Sequence, residues 1–130
     1  MDFEQARDNM VEQQIRTWEV LDQAVLDCVT FIPRHEFVPE FYRTLAYSDS
    51  EIPLGYGEKM MTPKLEARLI QALNLSSNDR VLEVGTGSGY LTALLAHQSA
   101  HVTSIEFRSP LLEVAMSKLK LRGFTNIEFE

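Results

Sequence analysis

Three glycines alternate with small polar residues in the stretch VLEVGTGSGY, at Gly85, Gly87 and Gly89, directly after a short apolar run. Glycines at such a turn accept positive φ and let backbone N–H groups approach a ligand at a helix N-terminus. The spacing narrows the ligand. A dinucleotide turn needs G-x-G-x-x-G, but here the position three after Gly87 is Tyr90 and the third glycine falls one residue early. Two carboxylates flank the turn. Glu106, at the end of the next apolar alternation, stands where a carboxylate can accept both ribose hydroxyls of an adenosine. Glu83, two residues before Gly85, suits a nucleoside that carries a cationic amino-acid group, and beside a pyrophosphate it would repel. Glu83, Gly85, Thr86, Gly87, Ser88, Gly89 and Glu106 are therefore the expected cofactor-binding set. A bare strand-to-helix turn and a nicotinamide dinucleotide site are the alternatives.

The elements that would position these residues follow a regular order. RVLEV (80–84) alternates as a strand and YLTALLAH (90–97) reads as a helix. HVTSIEF (101–107) is a second strand. SPLLEVAMSKLKLR (109–122) is a helix with a Ser-Pro start and Gly123 as its stop, and NIEFE (126–130) opens a third strand. Strand–helix–strand–helix–strand implies an α/β fold: a Rossmann-like, doubly wound parallel sheet. Only one flank of its first strand is built, which leaves an apolar edge open. The expectation is therefore a truncated sheet, the N-terminal portion of a longer chain, with association through that edge as a possible oligomer.

The first half reads as helices and loops. Phe3, Ala6, Met10 and Ile15 give one helix to about Thr17, and Asp22 caps a second through Cys28 and Val29 that stops before Pro33. PRHEFVPEFYRTLAY places a short extended piece and then one or two helical turns. YSDSEIPLGYGEKMMTP reads as a long apolar loop of functional type. Thr62 and Pro63 start a helix, with Leu65, Leu69 and Leu73 as its expected buried stripe. The division is one domain with a helical and loop segment, 1–61, and the first part of a cofactor-binding α/β region, 62–130.

Composition bounds the partners. With 12 Lys and Arg against 19 Asp and Glu, the net charge of −7 opposes a polyanion, so no nucleic-acid partner is expected. No apolar run is long enough for a membrane span, and the charged start MDFEQARDNM lacks the apolar core of a signal peptide. The default location is the cytoplasm. Cys28 is alone and reads as a small buried hydrophobe, and no Cys/His cluster has metal spacing. His35, between Pro33 and Phe37, reads as a structural histidine in a partly buried turn.

E-V-G-T-G-S-G followed by the strand-end Glu106 resembles the cofactor motif of class I S-adenosylmethionine-dependent methyltransferases. NMVEQQIRT (9–17), VLDCVTFIPRHEFVPE (25–40), AYSDSEIPLGYGEKMMTP (46–63) and DRVLEVGTGSGYLTALLA (79–96) follow in an order that resembles the protein-L-isoaspartate O-methyltransferase family. The likeness covers essentially the whole chain. It implies S-adenosyl-L-methionine as cofactor and damaged proteins or peptides with isoaspartyl residues as substrate. It also implies a reaction in which a substrate carboxylate oxygen attacks the sulfonium methyl in line, with positioning and desolvation as the enzyme's contribution. The family loop typically reads G-x-x-x-S-x-P, and its Ser is the residue usually named as catalytic. This sequence departs there: from Gly57 it reads G-E-K-M-M-T-P, with Met61 at the Ser position and Thr62 one later. Either Thr62 supplies the hydroxyl, or its side chain caps the following helix. The departure leaves open a methyltransferase with another acceptor, or a non-catalytic cofactor- or partner-binding module that lost the Ser.

Overall fold

A computed structural model describes all residues, 1–130, as two compact units, Met1–Asn74 and Leu75–Glu130.

The first unit is helical. Helix α1 (Phe3–Met10) starts at Asp2, whose carboxylate accepts the N–H of Gln5, as an N-cap should. The expected single helix to Thr17 is in fact three geometries. After α1 the backbone widens to a π-helical stretch, Val11–Ile15, then tightens to a 3-10 turn, Arg16–Trp18, and stops at Glu19 in the left-handed region. Met10, Val11 and Ile15 are all buried along this segment. Helix α2 (Gln23–Phe31) is capped by Asp22 through the Ala24 N–H and ends before Pro33. Cys28 is fully buried on it, as expected, and burial pushes its thiol up to about 12. Short 3-10 turns follow at Arg34–Glu36 and Glu40–Leu45. His35 stacks on the Phe3 ring at 4.1 Å, and its Nδ1 lies 2.8 Å from the Tyr47 hydroxyl, a structural role.

Two further expectations for this unit are corrected. The long loop contains an antiparallel hairpin, β1 (Pro53–Gly55) and β2 (Glu58–Lys59). Its tip is Gly55-Tyr56-Gly57, all three with positive φ, and these left-handed residues turn the chain back sharply. Helix α3 (Pro63–Leu73) is present, but its buried face is Pro63, Glu66, Ala67 and Ile70. Leu65, Leu69 and Leu73 are 39%, 41% and 54% exposed. The helix turns this way because Glu66 forms a buried ion pair with Arg34, and an unpaired charge there would cost far more than three half-covered leucines return.

The second unit is the expected parallel sheet. Strands β3 (Arg80–Val84), β4 (His101–Ile105) and β5 (Ile127–Phe129) lie in the order β3-β4-β5. Helices α4 (Tyr90–Gln98) and α5 (Ser109–Leu121) connect them. β3 and β4 pair in full register from Arg80–His101 to Val84–Ile105. Glu83, Val102 and Ser104 are buried on the face that α4 covers, while Leu82 and Val84, on the opposite face of β3, are 63% and 78% exposed. β3 pairs with β4 alone and is an edge strand.

Candidate functional site

The glycine turn leaves β3 and enters α4. Gly85, Gly87 and Gly89 have φ of 99°, 55° and 88°, so the left-handed backbone that the sequence implies is present at all three. They differ in surroundings. A Cβ built on Gly85 meets nothing within 4 Å, whereas one on Gly89 lies 3.1 Å from the Ala115 Cβ and 3.3 Å from the Leu119 Cδ1. Gly85 therefore faces open space where a ligand can approach. Gly89 lets the start of α4 pack against α5.

Four of the five N–H groups from Gly85 to Gly89 are already engaged. The N–H groups of Gly85 and Thr86 both donate to the Ile105 carbonyl, at 2.7 and 3.2 Å, and Gly89 N–H donates to the Thr86 carbonyl. Gly87 N–H donates to Glu106 Oε1 at 2.8 Å, and Tyr90 N–H to the Ser88 hydroxyl. Arg108 N–H donates to the other Glu106 oxygen, Oε2, at 2.8 Å. A phosphate would need these N–H groups free and would meet the Glu106 carboxylate at the turn. The arrangement thus disfavours a pyrophosphate and leaves spare lone pairs on Glu106 as acceptors for hydroxyls.

Glu83 lies beneath the turn and is buried. Its Oε1 accepts hydrogen bonds from the hydroxyls of Thr92 on α4 and Ser104 on β4, the latter at 2.6 Å. Ser104 Oγ lies 2.6 Å from Thr86 Oγ1. Glu83 Oε2 is buried without a hydrogen-bond partner in the protein. Burial pushes the Glu83 carboxyl above the ordinary carboxylate range, the Ser104 and Thr92 hydroxyls pull it back, and the nearby Glu106 charge pushes it up again. The glycine spacing drew attention to the turn and passed over Thr92 and Ser104. Their signal was a single hydroxyl inside each of two apolar runs, YLTALLAH and HVTSIEF. No group of three or more His, Cys, Asp or Glu is arranged to hold a metal ion.

Thr62 and Met61 belong to the first unit. Thr62 occupies the N-cap position of α3 and its carbonyl starts the helix, but its hydroxyl makes no capping bond. The capping account of that hydroxyl is thereby set aside. The Met61 carbonyl accepts from Arg34 Nη2 at 3.0 Å, and Arg34 in turn pairs with Glu66. Arg34 was not singled out in the sequence, where PRHEF reads as an ordinary turn. Its guanidinium fixes the backbone one residue before Thr62.

The parallel sheet with a glycine turn and a strand-end carboxylate defines a class I methyltransferase fold. Comparison with known proteins gives the particular family. The family model for protein-L-isoaspartate(D-aspartate) O-methyltransferase matches residues 5–130, so the chain belongs to that family. A protein-L-isoaspartate O-methyltransferase of Dictyoglomus thermophilum is 39% identical over 129 residues, 99% of this chain and 58% of the relative. Among solved structures, a protein-L-isoaspartate O-methyltransferase superposes with a TM-score of 0.76 at 25% identity, over 95% of this chain and 41% of that one. A second, described as a putative protein-L-isoaspartate O-methyltransferase from Plasmodium falciparum in complex with S-adenosyl-L-homocysteine, gives 0.74 at 21% identity, over 100% of this chain and 62% of that one, and shares the fold. The chain spans about half the length of the curated relatives it matches.

Proposed function

We propose that this chain provides the S-adenosyl-L-methionine site of a protein-L-isoaspartate O-methyltransferase, acting on isoaspartyl residues of damaged proteins or peptides. One observation carries the reading: the Glu106 carboxylate is fastened by the Gly87 and Arg108 N–H groups beside a left-handed glycine turn most of whose own donors are engaged. That geometry suits a nucleoside that offers hydroxyls and carries no phosphate. The residues fit the cofactor. Glu106 would take the ribose hydroxyls, the open side of Gly85 would admit the ligand against the backbone, and Thr86, Gly87, Ser88 and Gly89 would set the shape of the turn. Glu83 would lie beneath the cationic amino-acid end. S-adenosyl-L-methionine supplies a methyl group activated by its sulfonium. Thr62 is the proposed catalytic hydroxyl, because its side chain is not engaged in capping α3.

Calorimetric titration of S-adenosylhomocysteine into this chain, with the Dictyoglomus thermophilum relative as reference, tests the site. Binding is expected, and Glu106→Ala should weaken it by about 1.5–3 kcal/mol, the range for hydrogen bonds to a charged group. Binding by the relative and not by this chain would remove the reading for these residues. A second reading, a cofactor-binding module without methyl transfer, is favoured by Met61 at the family Ser position. Transfer of labelled methyl to an isoaspartyl peptide, lost in Thr62→Val, would decide for the enzyme.

A further inference from the structure

Four side chains form one hydrogen-bonded chain under the glycine turn, and their donor order is fixed by chemistry. An ionised carboxylate only accepts, so Thr92 and Ser104 both commit their hydroxyl protons to Glu83 Oε1. Ser104, its proton committed, must accept from Thr86, whose hydroxyl lies 2.6 Å away. Thr92 and Ser104 are fully buried, and Thr86 and Glu83 nearly so. No ion pair joins Glu83 to a cation, and its Oε2 is buried without a protein partner. A negative charge on Glu83 is therefore supported by hydroxyls alone, in a place where charge is costly and where its field reaches farther than in water. Two donors on one oxygen from different elements, α4 and β4, also lock the rotamer.

We infer that Ser104 and Thr92 are positioning residues that set ligand specificity: by holding the buried Glu83 carboxylate beneath the glycine turn, they make the turn select a nucleoside bearing a cationic amine over the same nucleoside without one. The inference rests on the reading of the turn as the S-adenosyl-L-methionine site and assigns its charge selectivity to two fully buried hydroxyls bonded to the carboxylate. Without either hydroxyl, burial and Glu106 act on Glu83 with less opposition. The carboxyl then holds a proton more readily and loses a donor that fixes its place beneath the turn.

The test compares S-adenosylhomocysteine, which carries the ammonium, with 5′-methylthioadenosine, which has the same nucleoside and no amino-acid end. Both are titrated into the parent chain and into Ser104→Ala, Thr92→Val, Thr92→Ser and Glu83→Gln. Ser104→Ala and Thr92→Val should weaken S-adenosylhomocysteine on the order of tenfold, about one charge-assisted hydrogen bond, and leave 5′-methylthioadenosine within about twofold. Thr92→Ser keeps the hydroxyl and should keep the parent's preference. Adding Ser104→Ala to Glu83→Gln should cause no further loss, because the group it acts through is already neutral. A merely structural role would lower stability and weaken both ligands alike, and that equal loss would overturn the inference, as would an unchanged ratio in every variant. A parent chain that binds neither ligand would remove the cofactor reading itself, and the inference with it.

Discussion

Glu83 is a buried acid whose proton affinity differs between the folded and unfolded chain. Burial raises its pKa above the ordinary value of 4.5, and the hydroxyls of Ser104 and Thr92 only partly offset that. The folded chain thus binds the proton more tightly than the unfolded one. Its contribution to stability is full below about pH 4.5 and is lost as pH rises through the raised value. Glu83→Gln removes this dependence while keeping the shape. Denaturant unfolding across pH should find the variant at least as stable as the parent at pH 8, with the difference narrowing toward pH 4.5. A variant clearly less stable than the parent at pH 8 would show that the ionised carboxylate stabilises the fold. The glycines of the turn also separate at this scale. Gly85→Ala places a left-handed Cβ in open space and should cost roughly 1–2 kcal/mol. Gly89→Ala adds a clash with Ala115 and should cost about 2–4 kcal/mol, the left-handed strain plus overpacking. Equal losses in the two variants would mean that α4 and α5 yield to the extra methyl. The selective effect of Gly85→Ala should fall on ligand affinity.

At the scale of elements, the ion pair of Arg34 and Glu66 links three segments of the first unit. Arg34 leaves the PRHEF turn, pairs with Glu66 on α3, and donates to the Met61 carbonyl. Truncating one partner strands a buried charge. Arg34→Ala should cost about 3–5 kcal/mol, and the double variant Arg34→Met with Glu66→Leu should recover much of it. Unfolding of the three chains in denaturant checks the order. These same residues show where the sequence was legible and where it was not. The strands Arg80–Val84 and His101–Ile105, and the helices between and after them, were read from period and capping signals, because local pattern alone specifies them. The orientation of α3 was not. Leu65, Leu69 and Leu73 form the better apolar stripe, and only a charge 32 residues away decides that Glu66 faces inward. The hairpin at Pro53–Lys59 was missed because two- and three-residue strands carry too little alternation to register. In the candidate site the glycines and carboxylates were legible by spacing. Thr92 and Ser104 were not, because a hydroxyl in an apolar run looks the same whether it satisfies its own backbone or holds a carboxylate.

Across the whole molecule, the pairing of the sheet dictates how stability is distributed. β4 has a hydrogen-bonded neighbour on each side, whereas β3 and β5 each have one. The central strand also carries Val102 and Ser104, both fully buried, and through Ser104 and Glu106 it anchors the glycine turn. The hairpin of the first unit is two short exposed strands closed by three left-handed residues. Amide hydrogen exchange should therefore be slowest in β4, intermediate at the β3–β4 ladder, and fastest at Gly55–Gly57, where few buried contacts oppose local opening. If S-adenosylhomocysteine binds at the turn, the amides of Gly87 and Arg108, which hold Glu106, should slow further, while those of Gly55–Gly57 need not change. Protection confined to the hairpin would place the ligand elsewhere. Protection centred on Gly87, Arg108 and the start of α4 would tie the proposed cofactor site to the one strand that the fold holds most firmly.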